Sequence, residues 1–368
     1  MNTARNTPQE PARPRPRPRR SVIGWFVAGI GALIAAVAAV FLTRGRLWDT
    51  RATTASAAFA APEDMVAHPG LRYATQPGQG GVVDVYTPRG PGPFPVLLWT
   101  FGSGWTSDQG NRHGDRIARA LVPHGYAVAA FSVRNSGQGK FPSHVQDAKA
   151  AVRWLRGHAR ILQLDPQRMA IGGNSSGGWI AMMTATTNGD PEFEGLVGQD
   201  WGVDSRVQAA VNFFAPVDFL DMDGQMLPGA CADFNKGLGI SNCHSDDRGF
   251  ESRMLGVPVR SDAALVRKAS PRTHVTHDSP PTLIVHGTRD MVVPHQQSME
   301  LYRTLVEHDV SSIYYEVHGG GHVVDLARDN NVATAQVHRH HVPESAAREH
   351  FTWEAVAAFL DAEMPGRG

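Results

Sequence analysis

Met169-Ala-Ile-Gly-Gly-Asn-Ser-Ser-Gly-Gly-Trp-Ile-Ala-Met-Met183 is the stretch that decides the fold. It begins as a short apolar strand, passes through a glycine-rich corner with Ser175 at its tip, and continues in small and apolar residues suited to a buried helix. Gly173-Asn-Ser-Ser-Gly177 fits G-x-S-x-G, the elbow in which a strained strand-to-helix turn lifts a serine hydroxyl clear of a sheet. Glycine on both sides suits a corner where strand and helix crowd together. The helix that follows points its positive end at the turn, which favours negative charge there. The same five residues also describe an ordinary Gly/Ser turn. To be an elbow, the turn requires a base, an acid and an oxyanion hole from elsewhere in the chain.

Working outward, Val96-Leu-Leu-Trp-Thr-Phe101 is a continuous apolar run, as expected of a strand covered on both faces, and it empties into Gly102-Ser-Gly-Trp105. Val82–Tyr86 alternates as a strand should, and Tyr126–Phe131 is a second buried run after an expected helix at 112–122. Residues 144–159 place Val145, Ala148, Val152 and Leu155 on one helical face. Downstream, Val207–Phe214, Thr282–His286 and Ile313–Val317 read as strands, the last of these as the final one, and Phe351–Glu363 as a closing amphipathic helix. Strands alternating with helices predict an α/β fold with a mostly parallel sheet and helices on both faces. In such folds ligands bind outside the strands' carboxyl ends. No internal repeat is present.

The chain has 368 residues, with 35 basic and 35 acidic side chains giving zero formal net charge. A nucleic-acid partner is therefore not expected, because such binders carry a basic surplus. The basic cluster Arg13–Arg20 is local and proline-interrupted, and residues 1–20 read as a disordered cytoplasmic arm. Residues 21–42 form an uncharged apolar run long enough to span a bilayer, flanked by arginines that place the N-terminus inside. A cleaved signal is the alternative, with Ala58-Phe-Ala60 resembling its cleavage site. Either way a membrane-anchored or secreted, extracytoplasmic domain is expected. Residues 43–70 read as a linker and 71–368 as the catalytic domain. Two cysteines, Cys231 and Cys243, sit in one irregular segment and fit no zinc or redox motif. An oxidising compartment permits a disulfide between them; two free thiols are the alternative.

A neutral serine hydroxyl needs a base within hydrogen-bond reach and a group that orients the base. On this fold the order is Ser, then Asp or Glu, then His. Leu283-Ile-Val-His-Gly-Thr-Arg-Asp290 offers an acid in the turn after a late strand, with Asp218 as its rival. Glu316-Val-His-Gly-Gly-Gly-His322 offers the base as His322, with His318 as the rival. His286 and His295 flank the acid and read as supports of its turn. For the oxyanion hole, the backbone N–H groups of Gly102, Ser103 and Ser176 are the candidates. The stretch 326–350 carries His338-Arg-His-His341 and His350, residue types that bind metals. No carboxylate or cysteine pattern completes a site, so a solvated polar loop is expected, with neither metal nor organic cofactor.

Phe101-Gly-Ser-Gly-Trp105 resembles the His-Gly-Gly-Gly-Trp oxyanion motif of hormone-sensitive-lipase-like and acetylxylan/feruloyl-type esterases of the alpha/beta-hydrolase superfamily. Phe141-Pro142, Asp147, Trp154-Leu155, Asp165-Pro166, the elbow, Ser205–Ala209, Pro216-Val-Asp218 and the Asp290 and His322 segments are similar to that family's pattern in order. The resemblance covers about residues 75–325. It implies an alpha/beta-hydrolase fold and ester hydrolysis with Ser175 as nucleophile, Asp290 as acid and His322 as base. It also implies a small-molecule or polysaccharide-linked ester as substrate and residues 221–260 as a small lid. Two departures stand out: Phe101 replaces the motif histidine and Ser103 replaces a glycine. A serine peptidase or amidase on the same fold is one rival reading. A non-catalytic, envelope-anchored binding protein is the other, although retirement would normally delete a Ser, Asp or His.

Overall fold

The computed structural model describes residues 64–75, 80–326 and 334–366. The chain divides into two units, Met1–Thr53 and Thr54–Gly368, and all described residues belong to the second. The apolar run at 21–42 lies outside them. Among the described residues no helix is long and apolar enough to cross a membrane.

The strands are β1 (Met65–Arg72), β2 (Val82–Pro88), β3 (Phe94–Thr100), β4 (Ala127–Phe131), β5 (Leu164–Asn174), β6 (Ala209–Phe213), β7 (Thr282–Gly287), β8 (Ser312–Val317) and β9 (Ala335–His340). They form one sheet in the order β1-β2-β4-β3-β5-β6-β7-β8-β9. From β4 through β8 every neighbouring pair is parallel. The pairs β1–β2, β2–β4 and β8–β9 are antiparallel. The helices are α1 (Gly114–Leu121), α2 (Ser143–Gly157), α3 (Ser176–Thr186), α4 (Ala230–Leu238), α5 (Phe250–Leu255), α6 (Ala263–Lys268), α7 (Gln296–Glu307) and α8 (Trp353–Glu363), with shorter turns between.

The apolar runs explain the layering. Along β3, Val96 and Leu98 face one core and Leu97 and Trp99 the other, because successive strand residues point to opposite faces. The first core takes Val145, Ala148, Val152 and Leu155 of α2, all of α3's large side chains, and Leu301 and Leu305 of α7. The second takes Ile117 and Leu121 of α1 and Val356, Phe359 and Leu360 of α8. Helix α3 is buried all round, which is why its sequence has no polar face. Helix α2 is pinned by charge as well. Fully buried Asp147 accepts Arg134 Nε and Nη2 at 2.9 and 2.8 Å.

Three expectations are corrected. The linker assigned to 43–70 ends earlier, because β1 begins at Met65. Pro69-Gly70 hid this strand: the register slips between His68 and Leu71, and Gly70 N–H turns to Asp84 Oδ1 at 2.6 Å. Ile313–Val317 is not the final strand, and 326–350 is not simply a polar loop. Ala335–His340 pairs along the whole of β8. Being an edge strand it buries little apolar surface, so its polar, histidine-rich sequence lacks the usual signal. The closing helix starts at Trp353, where the Thr352 side chain caps it.

One buried group gives this core a pH dependence. His144 is fully buried and, among the described residues, neither ring nitrogen has a hydrogen-bond partner. Burial first, then the charges of Arg134 and Lys140, push its pKa down to about 3. An unfolded histidine titrates near ~6.5. Between these values the unfolded chain binds the proton and the folded chain does not, so stability falls as pH drops through that window. The melting temperature of the wild type is expected to fall between pH 7 and pH 4, at up to about 1.4 kcal/mol per pH unit from this group. His144→Leu should show a shallower fall. Equal slopes in the two proteins would remove His144 from the explanation.

Candidate active site

The elbow is built by backbone crowding. Ser175 sits between β5 and α3 at φ 55°, ψ −129°, a conformation that L-residues rarely adopt. Its N–H donates to the Phe213 carbonyl at 2.9 Å, and its own carbonyl accepts from Trp179 N–H at 3.0 Å. A Cβ on Gly177 would lie 2.2 Å from the Thr100 carbonyl oxygen, and one on Gly173 would lie 2.5 Å from Gly177. Both glycines are thus demanded by the approach of α3 to the end of β3. Gly102 is pressed in the same way, since its Cβ would lie 2.7 Å from Ser175 Cβ and 3.0 Å from Ser176 N. The Gly102–Trp105 loop therefore rests directly on the elbow.

How that loop is held was not visible in the sequence. Ser103 N–H donates to Ser176 Oγ at 2.8 Å and Trp105 N–H approaches the same oxygen at 3.4 Å. Gly102 N–H points at Asn174 Oδ1 at 3.4 Å, a long contact. The residue after Ser175 therefore contributes a buried side chain as well as an N–H. With Phe101 in place of the motif histidine, the N–H and hydroxyl of Ser136 hold the Trp105 carbonyl at 2.7 and 2.9 Å, while the hydroxyl of Ser176 ties the loop down from the elbow side. The N–H of Ser103 is spent on that tie. Trp105, at φ 56°, turns inward against Trp179 and Phe219 at ring-centroid distances of 5.3 and 5.8 Å.

Asp290 and His322 meet as a pair. His322 Nδ1 lies 2.7 Å from Asp290 Oδ2. The other carboxylate oxygen accepts the N–H groups of Val292 and Val293 at 2.8 and 2.9 Å. Burial alone would raise the Asp290 pKa. The charge of His322 and hydrogen bonds from His286 and His322 outweigh it and hold the carboxyl below the usual range. The two turns that carry the pair touch backbone to backbone. A Cβ on Gly287 would lie 2.3 Å from Gly320, and Arg289 N–H donates to the Gly320 carbonyl at 2.8 Å. Phe214 bridges the pair to the elbow: its ring lies 4.5 Å from that of His322, and the preceding carbonyl holds Ser175.

The rivals are placed elsewhere. Asp218 accepts its own loop's Leu220 N–H at 3.1 Å and pairs with Arg272 at 3.2 Å. His318 is exposed. His286 bonds Ser298 Oγ at 2.8 Å and the Val293 carbonyl at 3.0 Å, and so braces the acid turn as expected. His295 lies 3.6 Å from Glu316.

Residues 221–260 hold α4, α5 and shorter turns, with Cys231 and Cys243 joined by a disulfide. Phe250 of α5 packs on Gly104, whose Cβ would lie 2.9 Å from its ring. The segment is also bolted to the acid turn. Buried His244 sets Nδ1 2.9 Å from Glu251 Oε1 and Nε2 2.9 Å from the Val292 carbonyl. Burial alone would lower its pKa, but the Glu251 carboxylate outweighs this and raises it. Both partners are acceptors, so a doubly protonated ring satisfies both.

A family model described as BD-FAE matches residues 83–305, more than half the chain. The chain belongs to the BD-FAE family. This places it in the esterase/lipase branch of the alpha/beta-hydrolases. Among curated relatives, "Probable carboxylic ester hydrolase LipM" of Mycobacterium tuberculosis (strain ATCC 25618 / H37Rv) is 32% identical over 211 residues, covering 56% of this chain and 44% of its own. "Esterase LipC" of the same strain is 27% identical over 257 residues, covering 67% of this chain and 59% of its own. The chain thus spans about half the length of the curated relatives it matches. A solved "Truncated form of carbohydrate esterase from gut microbiota" aligns with TM-score 0.60 at 28% identity, covering 71% of this chain and 91% of that one. The bifunctional GH43-CE protein of Bacteroides eggerthii aligns with TM-score 0.63 at 26% identity, covering 72% of this chain and 36% of that one.

The crowding at the elbow is directly testable. Gly177→Ala sets a Cβ into the Thr100 carbonyl, whereas Gly202→Ala meets nothing within 4 Å. Thermal melts should show the first variant destabilised by about 2 kcal/mol or more and the second within about 0.5 kcal/mol of wild type. Equal melting temperatures would contradict the packing described.

Proposed function

We propose that this chain is a serine esterase that cleaves carboxylic esters through an acyl-enzyme. The observation that carries the reading is the short His322–Asp290 contact, made by residues that follow a serine held in a strained elbow, in the order this fold uses. Asp290 engages Nδ1 of His322, which fixes the tautomer and leaves Nε2 as the basic nitrogen. Nε2 takes the Ser175 proton as Oγ attacks the ester carbonyl. The tetrahedral oxyanion is met by the N–H groups of Ser176 and Gly102, at the positive end of α3. His322 then delivers its proton to the departing alcohol, and the acyl group stays on Ser175. In the second half His322 takes a proton from water, the hydroxide oxygen attacks the acyl carbon, and Ser175 leaves with the proton as the acid is released.

Small to medium acyl groups, including esters on carbohydrate, are the proposed substrates. The support is the lid's Phe250 close over the Gly102–Trp105 loop, together with the likeness at 28% identity to a carbohydrate esterase. An exported location, anchored through residues 21–42 or secreted, is part of the same proposal. The disulfide supports it, since such bonds persist in oxidising compartments.

Hydrolysis of a panel of nitrophenyl esters and peptide amides tests the reading. Acetyl and butyryl esters should turn over, and Ser175→Ala and His322→Ala should each lose at least ~10³-fold in kcat. His318→Ala should stay within a few-fold of wild type. Ester turnover that survives Ser175→Ala would rule out the nucleophile, and amides turning over faster than esters would favour a peptidase.

A further inference from the structure

The histidines at the end of β9 meet a carboxylate that their own segment does not contain. His340 Nε2 and His341 Nε2 lie 3.2 and 2.7 Å from one oxygen, Asp309 Oδ1. One donor atom from each of the three lies within 4.8 Å of the others. Consecutive residues of a strand normally point to opposite faces. Here His341, just past the strand end, takes φ 56°, and the two rings come together with centroids 3.8 Å apart. Asp309 is turned by the same device. It follows α7 at φ 59°, with its N–H on the Val306 carbonyl at 3.0 Å and the next N–H on Leu305 at 2.9 Å. Neither residue has a glycine's freedom, yet both hold the left-handed conformation, which aspartate and histidine adopt more readily than most side chains. Both bring a ligating side chain to the same point.

We propose that Asp309, His340 and His341 form a binding site for a divalent transition-metal ion, zinc being the best match. Two imidazoles and one carboxylate suit zinc, nickel or copper, whereas magnesium and calcium require oxygen donors. Zinc bonds of about 2.0–2.1 Å at tetrahedral angles put donor atoms roughly 3.3 Å apart. The Nε2–Oδ1 separations of 3.2 and 2.7 Å fall just below that spacing, so His340 is already nearly in place and His341 must open by about half an ångström. On binding, each neutral ring carries its proton at Nδ1 and presents the Nε2 lone pair, and water fills the remaining position. The ligands sit on hydrogen-bonded backbone. His340 pairs with Ser312 at the start of β8, and Asp309 ends the turn leading into it.

The site is structural in character. It lies at the amino end of β8 and His322 beyond the carboxyl end, so the length of a six-residue strand, roughly 20 Å, separates them. An ion there would clamp the free end of the edge strand to the α7–β8 turn.

The test uses the full-length protein, stripped with EDTA and titrated with zinc chloride by calorimetry and with cobalt chloride by visible absorption. Wild type should bind one equivalent, show the absorption of a low-coordinate cobalt site and melt at a higher temperature with zinc. The His340→Ala/His341→Ala double variant should bind at least ~10-fold more weakly and lose both the absorption and the zinc-dependent melting shift. Asp309→Ala should weaken binding in the same direction, while His277→Ala, in an exposed loop, should match wild type. Melting curves without zinc establish that each variant is folded. One-equivalent binding of unchanged affinity in the double variant, or its absence in wild type, would overturn the proposal.

Discussion

The site depends on how closely the chain can approach itself beneath Ser175. The end of β3, the elbow and the Gly102–Trp105 loop meet in close contact: the Thr100 carbonyl abuts Gly177, Gly102 abuts Ser175, and the small Ser176 side chain ties loop to elbow. This contact fixes Ser175 relative to the Gly102–Trp105 loop, because both belong to one knot of closely packed backbone. It also explains why strain persists at Ser175. A left-handed serine costs of order 1–3 kcal/mol, and the bonds from Ser175 to Phe213 and Trp179, with α3 wholly buried behind them, leave it no other conformation.

A second knot joins Asp290 to His322. Gly287 and Gly320 touch, Arg289 bonds across them, and Val292 and Val293 send their N–H groups back to Asp290. Val292 then faces two ways: its N–H holds Asp290, and its carbonyl takes the ring of His244. The segment over the site is therefore mechanically continuous with the carboxylate beneath His322. A buried His–Glu pair sits at the joint, next in sequence to the disulfide.

What was legible in the sequence was what leaves a signature in residue type. The central strands were readable because both of their faces are buried and their residues are uniformly apolar. Asp290 and His322 were readable because each ends a strand at a glycine-marked turn, and their contact follows from that placement. The edges of the sheet were not readable. β1 is broken by Pro69-Gly70, and β9 is polar because one side faces solvent. Side-chain roles that depend on a distant partner were equally hidden. For Ser176 the sequence suggested only a backbone N–H, and nothing in it pointed to the hydroxyl that accepts from Ser103. The histidines of β9 appeared to lack a carboxylate because Asp309 lies 31 residues before His340 and joins it only through the β8–β9 pairing.

The insertion between β6 and β7 has a bearing on how this scaffold could diversify. Both of its ends enter adjacent parallel strands, so exchanging it would leave the sheet order untouched. Such grafting would look free of consequence for the chemistry, yet His244 travels with the insert while Val292 stays behind. On the proposed reading, substrate range and catalytic alignment are therefore not separable modules here. A donor segment lacking a cationic or amide donor at that joint would remove a brace from the acid turn, and descendants that kept full turnover would be expected to carry a replacement hydrogen bond to the Val292 carbonyl.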